Sequence, residues 1–238
     1  MANNLFYFVM VPMVYLSFAV FSAGLIFKLL TAALSPGIKG TLGAFPRKVP
    51  RPFGVLKDSI FAPSAFVKDK IFWLFIIIFH FAFLMLLTGH FELIREYKII
   101  QIIPHKIFLG AGSVGIVLMI STLYFLFRRF RSPYNAISIP EDYILLLLLF
   151  LTMLSGSHMH LAARYGITSF DIPVSDYRSY IGSLVEFRPV LPDGISTSPH
   201  YVIIMLHVLF ANLFMMIFPF SKMIHSVFIF FAQNIKRK

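Results

Sequence analysis

The sequence predicts an all-α integral membrane protein: a five-transmembrane-helix bundle that makes one membrane domain of residues 1–238. Three observations carry this. The chain is 58% hydrophobic and only 13% charged, with a mean hydropathy of +0.83, far more apolar than a water-soluble domain. Five stretches reach the roughly 20 apolar residues that a helix needs to cross the hydrocarbon core. The Lys and Arg residues are sorted between alternate connecting segments, as in a chain threaded back and forth through a bilayer.

The first stretch is 5–30. No Lys or Arg precedes it and it is too long for a signal peptide, so it is read as a retained span. A loop follows at 31–70, with Pro36, Pro46, Pro50, Pro52 and Pro63 and a run of basic residues. The second and third spans are 71–93 and 107–127. A basic turn with Arg128, Arg129 and Arg131 leads into the fourth span, 143–163. The loop 164–200 holds Pro173, Pro189, Pro192 and Pro199, and the fifth span is 201–232. Of the 21 Lys and Arg, Arg95, Lys98, Lys106, Arg164, Arg178 and Arg188 lie on one side, and the other fifteen lie on the opposite side. The positive-inside bias then puts the N-terminus outside, the 31–70 loop and the C-terminus in the cytoplasm, and the 164–200 loop outside. Loops of this length are usually functional or partner-bound.

The same distribution accounts for the net charge of +11 as a topology signal rather than a nucleic-acid surface. The chain has no cysteine. Disulfides, thiolate metal sites, Cys-ligated iron–sulfur clusters and covalently attached c-type haem are therefore excluded within it.

Four histidines lie inside apolar spans: His80 and His90 in the second, His207 and His225 in the fifth. An ionisable side chain at bilayer depth is costly and is usually retained for function. Neutral imidazole is also a preferred ligand of iron. His207 and His225 are five full turns apart on an ideal helix, on one face and about 27 Å apart along the axis. His80 and His90 are about 15 Å apart axially and roughly 80° apart around the helix. The second span runs outward and the fifth inward, so His90 faces His207 at the outer level and His80 faces His225 at the inner one. Two haems, each ligated from both faces, would fit between these helices. The two axial spacings do not match for straight parallel helices; tilt, slanted haem planes or a kink at Pro219 can absorb the difference. Ordinary polar contacts between helices remain an alternative. Zinc is another, although the two histidines on each helix are too far apart to converge on one ion. Gly89 beside His90, and Gly110, Gly112 and Gly115 in the third span, allow close approach of a macrocycle or of another backbone.

Three segments carry a family resemblance. FPFSKMIH, Phe218–His225, ends in a histidine 18 residues after His207. FHFAFLMLLTGH, Phe79–His90, holds a ten-residue histidine spacing and a Gly-His ending. The segment beginning RRFRSPYNAISIPEDY, over Arg128–Leu148, turns into the fourth span. With these the chain resembles the cytochrome b, or gamma, subunits of respiratory nitrate reductase and their relatives in heterodisulfide reductase and sulfite-reduction membrane complexes. The resemblance implies five helices, an outer N-terminus and two haem b groups. The distal haem would be held by His90 and His207, the proximal one by His80 and His225. It also implies a quinone site near the distal haem, where Lys106 and its neighbour His105 are the candidates for the family's quinone-linked lysine. The roughly 40-residue loop at 31–70 departs from the short connection of nitrate reductase proper. That departure favours a cytoplasmic iron–sulfur partner of heterodisulfide-reductase type, with further membrane or periplasmic cytochrome subunits as other candidates.

His158 and Arg164 complete the quinone candidates, because a quinol must lose protons as its electrons leave and an outward-facing His can accept one. His160 lies beside them, and an interfacial helix end is the plainer reading of this cluster. Arg128, Arg129 and Arg131 are candidates for haem propionates or plain topogenic charges. The expected role is a quinone-reacting electron-transfer subunit of an inner-membrane oxidoreductase working with menaquinone or another quinone. The alternatives are the gamma subunit of a nitrate reductase proper and a haem-free membrane anchor or transporter.

Overall fold

The computed structural model describes residues 2–34, 51–94, 112–165, 170, 172–225 and 227–229, and among these there is no strand. The helices are α1 (Ala2–Met10), α2 (Pro12–Leu34), α3 (Arg51–Phe61), α4 (Pro63–Lys68), α5 (Lys70–Glu92), α6 (Ser113–Arg129), α7 (Tyr134–Ile137), α8 (Pro140–Arg164), α9 (Val174–Val185), α10 (Asp193–Ser196) and α11 (Tyr201–Ile217). Two 3-10 turns follow, Phe218–Phe220 and Lys222–Ile224. Among the described residues four helical segments are long and apolar enough to cross a membrane: Asn4–Ala32, Lys70–Glu92, Pro140–Ala163 and Tyr201–Phe220. The chain is thus a multi-pass membrane protein. The third apolar stretch is described from Ser113 as the 17-residue α6, because residues 95–111 lie outside the described set.

The first span is α1 and α2 joined at Val11. Pro12 has no N–H to give to the carbonyl one turn back, so the helix bends there while Val11 N–H still donates to Tyr7 at 2.9 Å. The bend leaves carbonyls open to side chains. Asn212 Nδ2 donates to the Val9 carbonyl at 3.3 Å, and the Tyr180 hydroxyl donates to that of Met10. Asn212 also bonds Ser17 Oγ at 2.9 Å, and both residues are buried. A polar clasp therefore joins the first and last spans where lipid would satisfy neither group.

Asp69 sets the start of α5: its carboxylate accepts the Phe72 N–H at 2.9 Å. Arg128, at the end of α6, donates to the other oxygen at 3.2 Å, with its guanidinium stacked between Phe72 (3.9 Å) and Tyr134 (3.5 Å). The Phe72 N–H and then Arg128 hold the Asp69 carboxyl below its ordinary value. By sequence 31–70 is a loop, yet α3 and α4 occupy its second half. The Trp73 indole donates to the Phe61 carbonyl at 2.6 Å and ties α3 to the first turn of α5.

From α5 the packing runs to α6, to α8, to α11 and on to α2. Ala82, Val114, Leu118, Leu149 and Met153 form the core shared by α5, α6 and α8. Gly115 faces Ser157, and Gly112, at φ +69°, faces Leu161. These two glycines serve helix packing against α8, and Gly110 lies outside the described residues. The loop 164–200 also folds: α9 and α10 lay Tyr180, Leu184 and Ile195 onto Phe6 and Met10. Burial there raises the Tyr177 hydroxyl to about 12 and pushes that of Tyr180 up as well.

The last span departs from the single helix expected over 201–232. Its regular part stops at Ile217, and Ser221 is extended (φ −95°, ψ 169°) between the two 3-10 turns. Pro219 causes the stop, since a helix cannot continue through its missing N–H and its ring. Pro219 is received by Gly24 of α2, where a Cβ would meet the Pro219 Cβ at 2.7 Å.

Asn212→Ala removes both bonds of the clasp between the first and last spans. The expected cost is about 1 kcal/mol, read as a lower thermal midpoint of the protein in detergent. An unchanged midpoint would show that the clasp adds nothing to the native state.

Candidate functional site

The site is built by α5, α11 and the turn after α11. Position 80 and position 90 lie on α5, position 207 lies midway along α11, and position 225 lies at the end of the second 3-10 turn. The His90 and His207 ring centres are 6.4 Å apart with planes 25° apart. The His80 and His225 centres are also 6.4 Å apart, with planes at 69°. Metal–imidazole bonds are about 2.0–2.1 Å, and a ring centre lies roughly 1.1 Å behind its nitrogen, so two rings on opposite sides of one ion have centres about 6.3 Å apart. Both pairs have that separation.

The ring nitrogens are oriented as well. His80 Nδ1 is 2.8 Å from the Ile76 carbonyl and His90 Nδ1 is 2.8 Å from that of Leu86, each one turn back on α5. His225 Nδ1 is 3.0 Å from the Lys222 carbonyl. His207 reaches across to α8, 3.0 Å from the Thr152 carbonyl and 3.3 Å from Ser155 Oγ. A carbonyl only accepts, so each Nδ1 carries the proton and each Nε2 keeps its lone pair. That is the second-shell arrangement typical of metal-bound histidine. Gly156 lies under the His207 ring, and a Cβ there would meet Cε1 at 2.9 Å.

The donor set fits a planar macrocycle better than a bare ion. Each pair supplies two neutral nitrogens, one from each ring. Among the described residues no group of three or more His, Cys, Asp or Glu could hold a metal ion together. Structural zinc needs about four protein ligands. The helices carrying the pairs also bury least: 6% of the apolar window of α5 and 11% of that of α11 with its turn, against 39% in the first and fourth spans.

The remaining sequence candidates scatter. Lys106 and His105 lie outside the described residues, as does the side chain of Arg164, whose backbone closes α8. His158 is exposed, with its ring 6.3 Å from that of Phe170, which sits 4.8 Å from His200. His160 turns the other way, toward Gly112, and its Nε2 is buried with no hydrogen-bond partner among the described residues. Residues two apart on a helix do not share a face, so these two histidines serve different surroundings. Arg128 and Arg129 each pair with a carboxylate, Asp69 at 3.2 Å and Asp142 at 3.0 Å. Asp142 also takes Lys222 at 2.8 Å.

Sequence reasoning passed over Thr152, Ser155, Gly156, Gly24 and Asp142. Gly156 carried a usable signal, a glycine between Ser155 and Ser157, two residues before His158, after a run of large apolar side chains. Asp142 carried another, an acidic residue at the head of an apolar span facing a chain rich in cations.

The chain is 24% identical over 180 residues to the Hdr-like menaquinol oxidoreductase cytochrome b-like subunit of Archaeoglobus profundus, a match covering 71% of this chain and 50% of that protein. It therefore spans about half the length of that curated relative. Residues 61–237, which include both histidine pairs, match the nitrate reductase gamma subunit family. The chain belongs to that family.

Proposed function

We propose that the chain is the membrane cytochrome b subunit of a respiratory oxidoreductase complex and binds two haem b groups, one on His90 and His207 and one on His80 and His225. It exchanges electrons between menaquinone or another quinone and a cytoplasmic iron–sulfur partner of heterodisulfide-reductase type. The observation that carries this reading is the facing of two imidazole pairs at 6.4 Å, each ring with Nδ1 on an oxygen acceptor. When bound, each haem would supply one-electron transfer, with His90 and His207 or His80 and His225 as the residues that hold it. The protein's part is to hold the imidazoles neutral and aimed, and to keep the space between α5 and α11 free of water.

The proposed topology has five spans with the N-terminus outside and the C-terminus in the cytoplasm, supported by the distribution of Lys and Arg. The His90–His207 pair then lies at the outer level, where a quinol head group can enter from lipid. Lys106, His105, His158 and Arg164 are the proposed polar groups of that pocket, and exposed His158 is the proposed proton acceptor. By this proposed topology the 31–70 loop and the basic C-terminal end face the cytoplasm, and they are the proposed docking face for the partner. The gamma subunit of a nitrate reductase itself is a second reading, favoured by the family match. The identity of the co-purifying partner separates the two.

The purified protein should carry about two haems per chain by the pyridine haemochrome assay and show the α-band of a low-spin cytochrome. A haem content near zero would return the chain to the class of haem-free anchors. Loss should also be paired. His207→Ala and Gly156→Val, which crowds the His207 ring, should deplete the haem at the first pair and spare the other. His225→Ala should do the reverse. Retention of both haems in His207→Ala would remove that residue from the ligand set.

Quinol-driven haem reduction should slow at least tenfold in His158→Ala or Lys106→Ala, in line with the usual contribution of a general base. Normal rates in both variants would move the quinone pocket elsewhere.

A further inference from the structure

We infer that Asp142 is a positioning residue for His225 and acts through Lys222; this rests on the haem-binding reading proposed above. The Asp142 carboxylate is buried at the head of α8. Its Oδ2 receives Lys222 Nζ at 2.8 Å, Arg129 Nη1 at 3.0 Å and the Ile139 N–H at 3.1 Å. Lys222 is thereby fixed at its side chain. Its backbone carbonyl, in turn, accepts the Nδ1 proton of His225 at 3.0 Å. One residue therefore connects a buried anion on α8 to the imidazole that faces α5.

The connection matters because the turn around it is weak by itself. Lys222–Ile224 is a three-residue 3-10 turn, preceded by extended Ser221, and such short turns have poor hydrogen-bond geometry. Pro219 seated on Gly24 before it, Met223 packed against the core of α5, α6 and α8, and the Lys222 ammonium on Asp142 hold it in place. The Lys222 side chain is 55% exposed, and without the carboxylate its ammonium would be left with the longer 3.4 Å bond to the Ile137 carbonyl. The direction of its carbonyl, and with it the 69° set of His225 against His80, would then be released.

Charge gives the inference a readout beyond structure. Asp142 is one buried anion facing two cations, one of them Lys222 three residues before His225, and removing it takes away the carboxylate that both of them meet. A haem iron on that pair would then favour its less positive, reduced form.

The test is a redox titration of the purified protein, with haem content and the low-spin ferric resonance spectrum, in Asp142→Asn, Asp142→Glu, Lys222→Gln and the Asp142→Asn/Lys222→Gln double variant. Asp142→Asn should raise the midpoint of one haem only, alter its ferric signal and lower its occupancy at least twofold. Lys222→Gln should alter the same haem, and Asp142→Glu should restore the wild-type signal. The double variant should differ from the sum of the two singles, as residues acting in series do. Additive effects, equal changes at both haems, or unchanged midpoints and spectra would each overturn the inference while leaving the haem-binding reading intact. Should Asp142→Asn fail to accumulate, Lys222→Gln alone carries the test, and an unchanged haem in it overturns the inference. A wild-type protein without haem overturns the proposed function, and this inference with it.

Discussion

The break in the last span at Pro219 is the constraint on which the rest depends. Two histidines 18 residues apart on an unbroken helix stand about 27 Å apart, while two that are ten apart stand about 15 Å apart. Straight, parallel helices cannot face both members of one set with both members of the other. Yet both pairs meet at 6.4 Å. The last span is not such a helix: it leaves regular geometry at Ile217, passes through extended Ser221 and returns to helical dihedrals at His225. Pro219 makes the break obligatory, and Gly24 gives the displaced ring a place to sit.

That arrangement explains what was legible in the sequence. Apolar length exposed the spans, because a helix in lipid must satisfy its own backbone and so declares itself over some 20 residues. The histidines were visible because an ionisable group is conspicuous in such a run. The depth at which each histidine sits follows from helix direction alone, so Lys and Arg counts were enough to propose partners. The helices within the two long loops were not legible. α3 and α9 are 11 and 12 residues long and depend on tertiary anchors: the Trp73 indole on Phe61 for the first, Tyr180 on Met10 for the second. Short helices of this length are marginal without such packing. The Pro219 kink was visible as a residue, but its direction was not, because that depends on a glycine nearly 200 positions earlier.

Cations that read as topogenic signals turn out to have a second role. Arg128, Arg129 and Lys222 all belong to the basic side of the chain, and each meets a carboxylate at the end of a span. Only ten acidic residues are present, and Asp69 and Asp142 are placed where helix N-termini favour negative charge. One carboxylate thus completes the start of a helix and ties it to the end of another. Charge bias alone could not reveal this, since counting cations says nothing about which of them is held.

The two histidine pairs are alike in separation and unlike in support. His80 and His90 lean on carbonyls of their own helix, so their aim is as fixed as α5 itself. His207 leans on α8 through Thr152 and Ser155, over the gap left by Gly156, so its aim depends on how two spans pack. His225 leans on a short turn that a buried aspartate on that same α8 anchors through Lys222. Helix α8 contributes no member of either pair, yet it orients one ring of each. Nearly parallel planes at one pair and crossed planes at the other follow from that difference in support. Two iron centres held this way would have different surroundings within one chain, and surroundings are what separate the potentials of chemically identical haems. In the proposed relay between quinone and a soluble partner, such a difference would arise from the packing of a span with no ligand of its own.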